Sequence, residues 1–174
     1  MHIYLMGYRG SGKSTVGQRL AHRLGLPVVD TDAVIESTAG QSIREIFAAE
    51  GEDGFRAREQ AVVEQVAATV TPCIIALGGG AVLRAANQQV IQRTGRVVWL
   101  TGSPDALLTR IQADTTTAQR RPSLSRSSDY DEIVEILAVR SPIYQRLANL
   151  TVDTDGRTPE EIVADIADWL KTHG

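Results

Sequence analysis

Eight residues near the start of the chain, Gly7-Tyr8-Arg9-Gly10-Ser11-Gly12-Lys13-Ser14, fit the pattern G-x-x-x-x-G-K-[ST] at every fixed position. Residues of these types at this spacing hold a chain of phosphates. The glycines let the backbone curl so that successive N–H groups point inward around anionic oxygens. A helix opening at Ser14 adds the positive end of its dipole. The Lys13 ammonium can reach the outer phosphates, and the Ser14 hydroxyl can ligate Mg²⁺. The plain alternative is a chance glycine-rich turn. Against it, the motif follows an apolar run, His2 to Met6, and precedes a helical pattern over roughly Ser14 to Leu24. The pattern therefore points to ATP or GTP, and leaves open which chemistry follows.

Further along, polar residues stand where apolar ones belong. Asp30 and Asp32 end a short apolar run, so one carboxylate can sit near Mg²⁺ and the other near an acceptor hydroxyl. Equally, either could cap the helix that follows. Glu59 shares a helical stripe with Phe55, Val62, Val63 and Val66, and Arg56 lies three residues before it. On a solvated face such a pair adds only ~0.2–0.5 kcal/mol. On a buried face the arginine needs partners, because a buried unpaired charge costs several kcal/mol. Arg140 sits on the stripe of Ile133, Ile136, Leu137, Ile143, Tyr144 and Leu147, so it points towards the core side. Its stem could snorkel out to water, and Pro142 could kink the helix and spoil the periodicity. Two inward arginines beside a nucleotide site suggest a pocket for a second anion, and a carboxylate suits a pair of guanidinium forks. Gly78-Gly79-Gly80 would let a ligand approach the backbone, where a turn alone needs one glycine. Arg120-Arg121-Pro122 could bring positive charge onto phosphates, or could simply be a solvated basic loop.

The elements that must position these residues alternate from end to end. Apolar runs at His2–Met6, Leu26–Val29, Cys73–Leu77, Arg96–Leu100 and Leu150–Asp153 read as strands. Helical material runs to about Ala68 with breaks near Gly40 and Gly51, and Ser42 with Glu45 has the form of a capping box. Ser103-Pro104 opens another helix, and others are expected over about Asp131–Leu147 and Pro159–Leu170. The polar stretch Thr115–Asp129 has no apolar periodicity and reads as a long loop of the lid or binding type. Such alternation predicts α/β architecture: a parallel sheet flanked by helices, with ligands at the carboxyl ends of the strands.

Bulk properties narrow the class. With 174 residues, 43% hydrophobic and 22% charged, the chain fits one globular domain, 1–174. No run approaches the 18 apolar residues of a membrane span, and the N-terminus lacks a signal-peptide pattern. One cysteine, Cys73, excludes an internal disulfide and suits a reducing compartment, so a cytoplasmic protein is expected. His2, His22 and His173 are scattered, with no zinc-ligand spacing. A net charge of −3 argues against nucleic acid as the partner.

Taken together, the ordered set GYRGSGKST, DTD at 30–32, G-E-x-x-F-R-x-x-E at 51–59, GGGA at 78–81, R-P-x-L at 121–124, R-x-P-I-Y at 140–144 and D-G-R-T-P at 155–159 resembles the shikimate kinases over essentially the whole chain. The resemblance implies a P-loop three-layer sandwich with a five-stranded parallel sheet. A substrate-binding helical segment would lie at about 32–60 and a lid at about 113–130. It implies transfer of the ATP γ-phosphoryl group to the 3-hydroxyl of shikimate, on the route to chorismate and the aromatic amino acids, by a monomer. By the same resemblance Gly10, Ser11, Gly12, Lys13, Ser14 and Thr15 hold the ATP phosphates. Ser14 ligates Mg²⁺, Asp30 acts in the metal's outer shell, and Asp32 binds the acceptor hydroxyl and acts as base. Arg56 and Arg140 take the carboxylate, Glu59 orients Arg56, and the Gly79 backbone contacts a hydroxyl. Arg121 comes from the lid to ATP and Arg157 flanks the adenine. Two departures stand out: Ser123 where the family more often has leucine, and Gly156 where it often has arginine. Competing readings are a gluconate or nucleoside-monophosphate kinase, a regulatory GTPase and a silent shikimate-kinase-like binding protein. The first needs no pair of carboxylate arginines. The second needs an Asn-Lys-x-Asp segment that the sequence lacks. The third has no need to keep Lys13, Asp32 and Arg121.

Overall fold

A computed structural model describes residues 1–113 and 129–173. Five parallel strands, β1 (His2–Met6), β2 (Val28–Asp30), β3 (Ile74–Ala76), β4 (Gly95–Thr101) and β5 (Leu150–Asp153), form one sheet in the order β2-β3-β1-β4-β5. Seven α-helices lie among the described residues: α1 (Lys13–Leu24), α2 (Thr31–Ala39), α3 (Ile43–Ala67), α4 (Ala85–Thr94), α5 (Pro104–Ala113), α6 (Asp129–Leu147) and α7 (Pro159–His173), with a 3-10 turn at Ala81–Leu83. Chain order reverses beside β1, since β2 and β3 lie to one side and β4 and β5 to the other. That is the topological switch point, where a crevice opens at the carboxyl ends of the strands.

Strand alternation explains the two layers of helices. Along β1, Tyr4 and Met6 join a core with residues of α2, α3, α4 and α6, while Ile3 and Leu5 join one with α1 and α7. All four are buried, as expected for a central strand covered on both faces. Each buried aliphatic side chain contributes roughly 1.5–3 kcal/mol, so the sheet is the rigid base from which the loops project.

The expected strands and most helices are present, with ends shifted by up to three residues. The Ser42–Glu45 capping box opens α3 as predicted. Gly51 breaks α3 at φ 70°, ψ −172°, a conformation essentially restricted to glycine. Across that kink Phe47 and Phe55 stack with ring centroids 4.5 Å apart, which sets the direction of the second half, where Arg56 and Glu59 reside. Helix α4 has no counterpart among the elements read from the sequence. Its sequence AANQQVIQRT offers only Val90 and Ile91 as large apolar residues, and it is held partly by buried Asn87, whose Nδ2 donates to Ala81 O at 2.8 Å. Helix α6 runs through Pro142 without a break, so the proline does not disturb the phase of Arg140.

Candidate active site

The phosphate end is built by the turn from β1 to α1. Gly10 (φ 78°) and Gly12 (φ 90°) occupy the left-handed region, which glycine enters without steric cost. Lys13 Nζ donates to the carbonyls of Gly7 and Tyr8, both at 2.9 Å, so the ammonium is folded over its own loop. Ser14 Oγ donates to Asp30 Oδ2 at 2.7 Å. The other oxygen of Asp30 accepts from the Asp32 and Ala33 amides at 3.0 and 3.3 Å, capping α2. Capping and a place beside the phosphate loop, alternatives in the sequence, are here two oxygens of one carboxylate. A cavity of about 440 Å³ lies over this loop, lined by Gly10 to Thr15, Asp30, Asp32 and Gly79 and closed on its far side by Arg110, Thr154 and Arg157.

The second end lies on the glycine run. A methyl group on Gly78 would come within 2.6 Å of Asp32 Oδ1 and 2.9 Å of Glu59 Oε1. One on Gly79 would lie 3.4 Å from Arg140 Nη1, and one on Gly80 would collide with the Arg56 guanidinium. Three consecutive glycines are thus the floor on which Asp32, Glu59, Arg56 and Arg140 converge. Arg56 is 7% exposed and Glu59 is fully buried, and Arg56 Nη1 donates to Glu59 Oε2 at 2.7 Å. Arg56 also stacks over Phe55, 5.2 Å from the ring centroid, and lies 3.5 Å from exposed Glu52. Charge neutralisation by Glu59 is what makes burial of this guanidinium tolerable.

At the far end of the cavity, Arg157 donates to Asp165 Oδ2 at 2.6 Å and keeps its guanidinium at the rim. Gly156 takes φ 66°, so the departure from arginine at this position matches a turn that glycine favours. Asp155 accepts from the Ser103 amide at 3.0 Å. Its carboxyl is held below the ordinary carboxylate range by Ser103, against a smaller opposing effect of burial and with a contribution from the Arg110 charge.

Three residues not singled out as site residues support the site, one on the cavity wall and two behind the glycine run. Arg110 on α5 donates to Thr154 Oγ1 and O, both at 2.7 Å. Thr31, fully buried between the two aspartates, accepts the Gly78 amide on its hydroxyl at 2.9 Å. Tyr144, read from the sequence as part of an apolar stripe and as the end of the R-x-P-I-Y run, with no role of its own, donates its hydroxyl to the Gly79 carbonyl at 2.5 Å. A buried tyrosine hydroxyl needs a partner, and that was the available signal. Arg121, Ser123 and the rest of the expected lid, save its helical ends, lie outside the described residues.

Among the described residues no group of three or more His, Cys, Asp or Glu could hold a metal. The oxygens of Ser14 and Asp30 nevertheless suit Mg²⁺, which commonly takes one or two protein oxygens and fills its shell with phosphate and water. No described helix is long and apolar enough to cross a membrane.

The arrangement has close counterparts. The family model described as shikimate kinase matches residues 9–171. A shikimate kinase of Rhodopirellula baltica is 49% identical over 165 residues, covering 95% of this chain and 88% of its own. That of Symbiobacterium thermophilum is 44% identical over 174 residues, covering 100% and 98%. Among solved structures, shikimate kinase from Acinetobacter baumannii in complex with shikimate superposes with a TM-score of 0.91 at 32% identity, covering 99% of this chain and 93% of the other. A phosphate loop, a glycine floor under two arginines, and likeness of sequence and fold over nearly the full length agree: the chain belongs to the shikimate kinase family.

Proposed function

We propose that this chain transfers the γ-phosphoryl group of ATP to the 3-hydroxyl of shikimate, giving shikimate 3-phosphate and ADP. The observation that carries the reading is the convergence of Arg56, Arg140 and Asp32 on one glycine run that opens into the phosphate cavity. A cyclic acid with ring hydroxyls has a carboxylate for the two guanidinium groups and a hydroxyl for the aspartate. A nucleoside monophosphate or a GTPase cycle would have no use for this pairing.

Little covalent chemistry falls to the protein, because phosphoryl transfer is governed by positioning and charge neutralisation. Arg56, fixed by Glu59, and Arg140 hold the carboxylate, so that the 3-hydroxyl meets Asp32. Asp32 accepts the hydroxyl proton as the new O–P bond forms and the bond to the departing ADP oxygen breaks. Lys13 leaves the Gly7 and Tyr8 carbonyls for the β- and γ-phosphate oxygens, and Arg121 adds positive charge from the lid. Mg²⁺, which Ser14 would hold with Asp30 behind it, neutralises charge on the phosphate oxygens when bound. The purine lies against Arg157. One chain supplies groups for every part of the site, which supports action as a monomer, and cytoplasmic residence accords with the single buried thiol.

The test is ADP release from Mg-ATP in a coupled assay with shikimate, gluconate, AMP, CMP or no acceptor. Stimulation by shikimate alone is the expected result. Stimulation by AMP or CMP would keep the kinase and discard the carboxylate pocket, and stimulation by gluconate, itself a carboxylate, would discard shikimate as the acceptor. No turnover from folded, ATP-binding protein would move the assignment to a binding role.

A further inference from the structure

We infer that Tyr144 is a positioning residue that fixes the span between the carboxylate grip and the hydroxyl grip of the substrate pocket; this rests on the function proposed above. Gly79 is held by α6 at one point and approached by it at a second. From one side the Tyr144 hydroxyl donates to its carbonyl at 2.5 Å, a bond at the short end of the O–H···O range. From the other, Arg140 Nη1 lies 3.4 Å from where a Gly79 side chain would begin. Arg140 and Tyr144 are four residues apart on that helix, one above the other on the same face.

The neighbours make this a defined linkage rather than a casual contact. Tyr144 is fully buried, and its ring packs against Trp99 of β4 with centroids 5.7 Å apart, so the hydroxyl cannot swing away. The peptide on the other side of the run is tethered independently, by Thr31 Oγ1 accepting from the Gly78 amide at 2.9 Å. Thr31 in turn lies between the metal-side and acceptor-side aspartates. Gly79 therefore cannot move relative to Arg140 without breaking a buried hydrogen bond. The helix that grips the acid also presents the backbone group that meets the ring hydroxyl. Tyr144 touches neither, so its effect is on geometry: it decides how long an acid can be and still reach both ends.

The variant Tyr144→Phe removes one oxygen and keeps the ring. In the full chain we expect KM for shikimate to rise about tenfold and KM for ATP to stay within about twofold, since a single misplaced group at a preorganised site has effects of this order. A merely structural role would lower thermal stability and the active fraction while leaving both KM values alone. Combining Tyr144→Phe with Arg140→Lys separates the two further. If the hydroxyl acts through the spacing to Arg140, the double variant's KM rises less than the product of the single effects. An unchanged shikimate KM in Tyr144→Phe, or strictly multiplicative effects in the pair, would overturn the inference while leaving the kinase assignment intact. Wild-type protein that never phosphorylates shikimate would remove both. Should Tyr144→Phe fail to fold, 3-fluorotyrosine at position 144 retains the shape and alters the strength of the donor. A shifted shikimate KM then supports the linkage, and an unchanged one overturns it.

Discussion

The two ends of the active site are built on opposite plans. The phosphate end is local: its loop is eight consecutive residues, its expected contacts are largely backbone N–H groups, and its lysine, Lys13, rests on carbonyls of the same loop. The acid end is assembled from α2, α3, the glycine run and α6, and its contacts are charged side chains that depend on one another. Backbone cradles survive the loss of a neighbour, because each donor is held by the helix it opens. A buried charge does not, because the Arg56 guanidinium is tolerable only while Glu59 remains beside it. Damage should therefore separate: changes at the first end cost rate, and changes at the second cost affinity, with stability lost as well where a buried charge is stranded.

The largest effect tests the first half of that contrast. Lys13→Met is expected to lower kcat/KM by at least about 10³-fold, the scale of losing a cation on a transferring phosphoryl group, with the melting temperature nearly unchanged. Steady-state kinetics beside calorimetry check it; an active variant, or an unfolded one, breaks the contrast. Next comes Glu59→Ala, which strands the buried Arg56 guanidinium and should cost about 3 kcal/mol in urea unfolding as well as raising KM for shikimate. Normal stability in that variant would show that Arg56 has another sufficient partner.

Arg140→Ala should raise KM for shikimate by about 30-fold, the loss of one charge-assisted contact, while the half-buried side chain leaves folding almost untouched. Steady-state kinetics at varied shikimate concentration read it directly. Gly80→Ala sharpens the role of the floor: its methyl collides with the Arg56 guanidinium and should raise the same KM about tenfold with ATP affinity unaltered. The smallest effect is at Asp155. Its folded-state carboxyl titrates below the ordinary value, so its stabilisation is complete above the unfolded pKa of about 4. It is lost as pH falls through the lower folded value. Asp155→Asn should thus be less stable than wild type at pH 7, by less than about 1 kcal/mol given solvent screening, and equal to it in strong acid.

The same division decided what could be read in advance. The phosphate loop was legible because all its determinants are contiguous and glycine's role there is conformational. Arg140 could be singled out because it interrupts an apolar helical stripe, and Arg56 because it lies three residues before Glu59, which interrupts another; the structure places both arginines against the glycine run. Their partners were harder to see. Tyr144 and Thr31 satisfy the apolar pattern or sit between louder neighbours, and their hydroxyls reveal a role only once the Gly78 and Gly79 peptides are beside them. Arg110 lies off the stripe of α5 and is recruited by Thr154, 44 residues on, which no local pattern encodes. Helix α4 escaped for the complementary reason: it is mostly polar, and long-range packing of Ile91 and Asn87 overrides a weak periodicity. Asp30 shows a third case, in which two competing readings were both realised by one carboxylate.

The break at Gly51 has a consequence for how this chain can vary. In an unbroken helix, one inserted residue turns everything beyond it by about 100°, which would swing Arg56 and Glu59 out of the pocket. Because φ and ψ at Gly51 already depart from the helical path, the register of Ile43–Glu50 is insulated from that of Phe55–Ala67. An insertion or deletion at the glycine itself can be absorbed there while Phe47 and Phe55 stay stacked across the kink, so length can vary at this one place while Arg56 and Glu59 keep their phase.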